Sequence, residues 1–225
     1  MTNQPEAVPD AQSGEVPTWR DRAVERSLRG ARAKAMSRSD RFIDAAMEIL
    51  SETGRTDFTV QELIERSKTS LRSFYQHFSG KEELLLALFE EIITTTSEEW
   101  SEEVEQVDAL TSLRLLLDRI YGQAAGPGGA GINRALSVFH LHLAESRPAD
   151  YARVLAPLRV LIHEQVEKGI AEKTIRADLD PDILATIMLQ TLVGAAHMHA
   201  LGAQPNGKPI DSDRLWDFCL GGLKA

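Results

Sequence analysis

One cysteine, Cys219, stands in 225 residues, so no disulfide can close within the chain. The lone thiol fits a reducing, cytoplasmic setting and reads as a small buried apolar residue rather than a redox sensor. No apolar run approaches the roughly 20 residues of a membrane span, and the polar, proline-containing start predicts no signal peptide. Catalytic signatures are missing too. The glycine run Gly126–Gly131 lacks the Lys-Ser/Thr end of a phosphate loop and follows no strand. There is no Gly-x-Ser-x-Gly, and the acids Glu98, Glu99, Glu102 and Glu103 fall on what reads as a solvated helix face. The histidine pairs His140/His142 and His197/His199 are two residues apart and point to different faces of a helix, so a metal site is not expected. These absences argue against an enzyme and leave no cofactor implied.

Net positive charge is also missing: the formal charge is −9, which taken whole disfavours a nucleic-acid partner. Its distribution reverses that. Residues 1–18 carry −3, residues 19–41 carry +5, residues 42–81 carry −1 and residues 82–225 carry −10. A basic stretch therefore stands ahead of an acidic body, as expected of a nucleic-acid reader joined to a solvated domain. Residues 1–18 hold three prolines and no periodicity, and read as a disordered tail. The stretch Trp19–Met36 holds five arginines. It reads either as an arm that follows a DNA backbone or as a solvated charged segment.

What the chain does have is helical periodicity from end to end. Phe42, Ala45, Ala46, Ile49 and Leu50 form one apolar stripe, and Gly54 supplies the left-handed stop. Thr59-Val60-Gln61-Glu62 is a capping box that opens a short helix through Leu63 and Ile64. A third short helix follows Ser70, with Leu71, Phe74 and Phe78 as its inward side. Ser79-Gly80-Lys81-Glu82 reads as a second capping box, opening a helix through Ile92. Further helices are expected at Thr96–Val107, Leu110–Ala124, Ile132–Ser146, Asp150–Lys168, Pro181–Leu201 and Asp211–Leu220. No strand pattern is present, so the fold class is all-α. The expected organisation is a tail and basic arm over 1–36, a helix-turn-helix over 37–81 and a helical body over 82–225.

Three short helices with a tight turn between the second and third are the helix-turn-helix arrangement, whose last helix lies in the major groove. That leaves Lys68, Thr69, Ser70, Arg72, Ser73 and Gln76 for the DNA side. Arg72 suits a bidentate bond to guanine N7 and O6, or a phosphate contact. Thr59, Tyr75, His77 and Lys81 suit phosphate oxygens, Thr59 because a helix N-terminus presents free N–H groups. His77 suits packing or capping equally well.

The run from Thr59 to Leu63, with Phe74-Tyr75-Gln76-His77-Phe78-Ser79-Gly80-Lys81-Glu82-Glu83-Leu84, resembles the signature of the TetR family of bacterial repressors. The resemblance covers about residues 38–92. It implies phosphate contacts for Thr59, Tyr75, His77 and Lys81, a homodimer paired through the last two long helices, and a small-molecule effector held in the body. The turn departs from the family's usual Ala-Gly-Val-Ser, with Lys68 where a glycine often supplies a positive φ.

The C-terminal helices supply residues for pairing: Leu184, Ile187, Met188, Thr191, Leu192 and Ala195, then Trp216, Phe218 and Leu220. The same residues would serve as monomer core. Candidate effector-lining residues are Trp100, Leu117, Tyr121, Phe139, His142, Leu143 and Met188, mostly apolar with a few polar tips, although such a stripe also suits plain core. The function expected is a DNA-binding transcriptional repressor that grips a palindromic operator on double-stranded DNA as a homodimer and is released by a small hydrophobic ligand. The alternative is a regulator without an inducer, whose body only dimerises or recruits a protein partner.

Overall fold

The computed structural model describes residues 38–125, 130–205, 207–208 and 210–224. The tail and basic stretch over 1–36 lie outside the described residues. Nine helices run through the described chain: α1 (38–53), α2 (Val60–Arg66), α3 (Leu71–His77), α4 (Lys81–Val104), α5 (Ala109–Ala125), α6 (Ala130–Ser146), α7 (Pro148–Ala171), α8 (Pro181–Leu201) and α9 (Ser212–Leu223). No strand occurs among these residues. A lone antiparallel bridge joins Ile175 to Lys224 and ties the end of α9 to the turn after α7.

Two apolar clusters organise the helices. The first buries Phe42 and Leu50 of α1, Leu63 of α2 and Phe74 of α3 together with Leu84, Leu85 and Phe89 of α4 and Phe139 of α6. Its centre is aromatic: Phe42 meets Phe74 edge-on at 5.5 Å and Phe78 edge-on at 6.1 Å. The second fills the body with Trp100, Leu113, Leu117, Leu158, Ile162, Met188 and Leu192. Phe89 belongs to the first cluster, while Ile93 and Tyr151 pack against both. Helix α4 therefore has its start in one core and its end in the other.

Helix α4 is continuous for 24 residues, where the sequence suggested a break before Thr96. Three successive threonines (Thr94, Thr95 and Thr96) disfavour helix intrinsically. Packing of Ile92, Ile93 and Trp100 overrides that preference, and the Ser97 hydroxyl donates to the Ile93 carbonyl at 2.6 Å. The cap also differs from the expected box. Gly80, not Ser79, is the N-cap, and the Ser79 N–H donates to Glu83 at 2.5 Å.

Helix α8 is 21 residues long with mean hydropathy 1.3, long and apolar enough by length and composition to cross a membrane. This corrects the reading that no such segment exists. In the fold, its Leu184, Ala185, Met188, Leu189 and Leu192 are buried in the body core. Asp180 caps it, accepting from the Asp182 N–H at 2.8 Å, with Pro181 in the first turn where no N–H is needed.

Candidate nucleic-acid interface and interior cavity

The turn between α2 and α3 is built from Ser67 to Ser70. The Thr69 N–H donates to the Ile64 carbonyl at 3.1 Å, and the Ser67 and Thr69 hydroxyls bond each other at 2.7 Å. Lys68 takes φ 52°, the left-handed position that the sequence assigned to it. Ser70 caps α3, its hydroxyl oxygen accepting from the Ser73 N–H at 3.2 Å. That leaves the Ser70 O–H exposed and free to donate to an outside acceptor.

Arg72, Gln76 and Tyr75 project from α3 into solvent, Tyr75 with 57% of its surface exposed. Neither Lys68 nor Arg72 is held by a carboxylate among the described residues. Arg66 of the same unit, by contrast, is engaged by Glu52 at 2.6 Å. A guanidinium without an internal partner is available to a base edge or a phosphate. Lys81 places its Nζ 5.5 Å from the centre of the Phe58 ring, which orients it at the start of α4.

Two predicted residues, Leu71 and Ser73, are placed differently. Leu71, expected inward, is 47% exposed, because it opens α3 outside the aromatic cluster of Phe42, Phe74 and Phe78. Ser73 turns inward, its Oγ buried without a hydrogen-bond partner. His77 is half-buried, with its ring 6.2 Å from that of Phe42, so packing takes much of its surface. Thr59 is exposed and caps α2 as the capping box predicted, accepting from the Glu62 N–H at 3.1 Å. Its own N–H and hydroxyl donate to the Glu62 carboxylate at 2.6 and 2.9 Å. These bonds hold the Glu62 carboxyl below its ordinary range. A carboxylate therefore sits beside the helix N-terminus, a feature the sequence reading absorbed into the cap.

Between α4, α5, α6, α7 and α8 the body holds a pocket of about 150 Å³ that is partly open to solvent. Of the expected lining residues it contains Trp100. Leu117 is fully buried in the body core, while Phe139 and Leu143 belong to the other cluster. Tyr121 bonds the Ile210 carbonyl near a separate surface depression. His142 is exposed, 3.7 Å from Glu82. Met188 lines a groove between α8 and α9 instead.

Beside Thr96, Asn133 and Ser137, the polar lining of the pocket holds a histidine pair that the sequence did not reveal. His140 Nδ1 lies 2.5 Å from His197 Nε2. The His140 ring stacks on Tyr151 at 4.4 Å and meets Phe89 edge-on at 4.9 Å. Burial pushes His140 down to about 3, with repulsion from His197 adding to it. Burial likewise pushes His197 down to about 4, so both rings are neutral at pH 7. Spacing within one helix cannot disclose such a pair, because its members stand on α6 and α8.

An apolar face remains open on α8 and α9. Ile183 and Ile187 are each 54% exposed and Phe218 is 72% exposed. Gly194, Gly221 and Gly222 border open space. Cys219 is buried beside this face, and burial pushes its thiol upward, away from the reactive thiolate.

Comparison with known proteins agrees with this geometry. Residues 42–88 match the family model described as bacterial regulatory proteins, tetR family. The fatty acid metabolism regulator protein of Bacillus subtilis (strain 168) is 22% identical over 152 residues, which span 67% of this chain and 77% of that one. The structure of FadR from Bacillus subtilis in complex with stearoyl-CoA superposes with a TM-score of 0.65 at 20% identity, covering 81% of this chain and 97% of the other. The structure of RolR with its ligand resorcinol gives a TM-score of 0.65 at 17% identity, covering 85% and 89%. With the helix-turn-helix and its exposed α3 already placed by the fold, the match over residues 42–88 makes this segment a DNA-binding domain of the tetR family of bacterial regulatory proteins.

Proposed function

We propose that this regulator is a repressor: as a homodimer it grips a palindromic operator, and it lets go when a small apolar molecule fills the cavity of its body. The observation that carries this reading is the position of α4. Lys81 opens it at the DNA face, Phe89 packs in the first cluster and also lines the cavity, and Trp100 ends in the body core. A molecule that displaces the cavity wall pushes on the helix that carries the reader. Differential affinity for two settings of α4 is all that release requires.

Ser70, Arg72 and Tyr75 are presented to solvent at the start and along α3, which suits DNA contact. Residues 37–81 would act as the reader and residues 82–225 as the body. Arg72 is assigned to a base edge, and Thr59, Tyr75 and Lys81 to phosphates. The arm over 1–36 would add phosphate contacts. The open face of Ile183, Ile187 and Phe218 is assigned to the partner subunit, since a two-fold pair reads two half-sites. Its place of work is the cytoplasm, with the DNA. FadR with stearoyl-CoA and RolR with resorcinol support an effector in the body.

Selection of bound DNA from a random pool tests the reading directly. An enriched palindrome, bound at two chains per site and recoverable near the protein's own gene, is the expected result. No enriched palindrome would overturn it. Deleting residues 1–36 should weaken operator binding and flatten its salt dependence.

A further inference from the structure

Taking the cavity as the effector site, we infer that its ligand is an uncharged, one-ring or six-carbon-sized molecule carrying a hydroxyl, of the phenol class, that hydrogen-bonds the His140–His197 pair.

Size comes first. A cavity of about 150 Å³ is the size that admits a benzene ring when lined by apolar side chains.

Charge comes second. Among the described residues that line the cavity there is no Lys, Arg, Asp or Glu. The walls are mostly apolar, among them Phe89, Ile92, Ile93 and Leu158, with Thr96, Asn133 and Ser137 as uncharged polar groups beside the buried pair His140 and His197. A carboxylate or phosphate entering this site would lose its hydration and meet no counter-charge, a loss of several kcal/mol.

Hydrogen bonding decides the head group. Two neutral imidazoles 2.5 Å apart share a single N–H. If His140 donates through Nδ1, its Nε2 bears a lone pair and requires a donor. If His197 donates through Nε2, the His140 Nε2 bears the proton and requires an acceptor. His140 Nε2 is buried without a hydrogen-bond partner among the described residues. A hydroxyl both donates and accepts, so it satisfies either tautomer. A carbonyl or an ammonium satisfies only one. An unpaired buried nitrogen costs about 1–3 kcal/mol, which a hydroxyl recovers and a plain hydrocarbon does not.

The test uses the full chain, labelled with ¹⁵N-histidine, titrated at pH 7 with phenol, toluene, benzoate and a long-chain acyl-CoA. Calorimetry should give one phenol per chain, with toluene about tenfold weaker and no binding of benzoate or the thioester. Phenol should move the ring ¹⁵N resonances of His140 and His197. His140→Phe should bind toluene at least as well as phenol. Should that variant fail to fold, the resonances of the unaltered chain still decide. Benzoate or acyl-CoA binding as tightly as phenol, or phenol binding with unmoved histidine resonances, would overturn the inference. Operator binding by the ligand-free chain is measured separately. Its loss would sink the repressor reading while leaving the cavity titrations to judge the ligand class.

Discussion

Replacing Lys68 by glycine should make the protein more stable and a weaker DNA binder, two effects that have separate causes. Lys68 holds φ 52° in the turn between α2 and α3. A residue with a Cβ spends about 1–2 kcal/mol to hold that conformation, and glycine spends nothing there. Glycine also loosens the unfolded chain, which costs roughly 0.4–1 kcal/mol. The difference favours Lys68→Gly by about 0.5–1 kcal/mol, or ~1–4 °C in Tm for a chain of this length. Lys68→Ala removes the same charge but keeps the strained φ, and should gain nothing. Each variant loses one exposed cation per subunit, so the slope of log affinity against log salt should fall by about 1 per subunit. Thermal denaturation followed by circular dichroism, and anisotropy titrations across a salt series, measure the two effects. Equal Tm for the glycine and alanine variants would refute the conformational reasoning. An unchanged salt slope would remove Lys68 from the DNA face.

Other expectations follow from the same geometry. Glu62→Gln keeps a side chain that can cap α2 while removing a negative charge beside Thr59. Operator affinity should rise by about two- to fivefold at low salt, on the scale of 0.3–1 kcal/mol for a charge at a helix N-terminus, and anisotropy would show it. Phe218→Asp puts a charge on the open face of α8 and α9 and should yield a folded monomer in sedimentation with helical content unchanged. The interior histidines set a pH dependence. Their folded values of about 3 and about 4 lie below the ordinary 6.5, so the unfolded chain takes up protons first as pH falls. Their contribution is complete above about pH 6.5 and is lost toward pH 4, at up to ~1.4 kcal/mol per pH unit for each ring. Denaturation at pH 7 and pH 5 should differ by on the order of 3 kcal/mol, and a variant with His140→Phe and His197→Phe should flatten that difference.

Local chemistry made the reader legible in advance. The capping box at Thr59 and Glu62, the stop at Gly54 and the left-handed Lys68 all depend on neighbours within four residues, and the structure holds each of them. The expected limits of α8 also coincide with the observed ones, because Asp180-Pro181 and Gly202 punctuate both ends. Where nearby helices compete for a side chain, the sequence was a weaker guide. Thr96–Val107 reads as a helix separate from the one through Ile92, with three threonines depressing the local propensity at the junction. Tertiary packing of Ile93 and Trp100 on the body core outweighs them. The inward face of α3 was misjudged at Leu71 because a seven-residue helix buries only what its neighbours cover.

The effector-lining residues show the limit most clearly. Trp100, Leu117, Tyr121, Phe139, Leu143 and Met188 are buried alike, yet they divide among two cores, a cavity and two surface depressions. Burial follows from periodicity within one helix. Which buried residues border empty space depends on how five helices meet. By itself the sequence determined an all-helical chain with a helix-turn-helix expected over residues 37–81, because helix periods, caps and turn residues act over a few positions. The tertiary structure alone decided that His140 meets His197 at the wall of the pocket, that α4 runs unbroken for 24 residues, and that Ile183, Ile187 and Phe218 are exposed on α8 and α9. Each of those depends on the relative placement of helices that lie far apart in the chain.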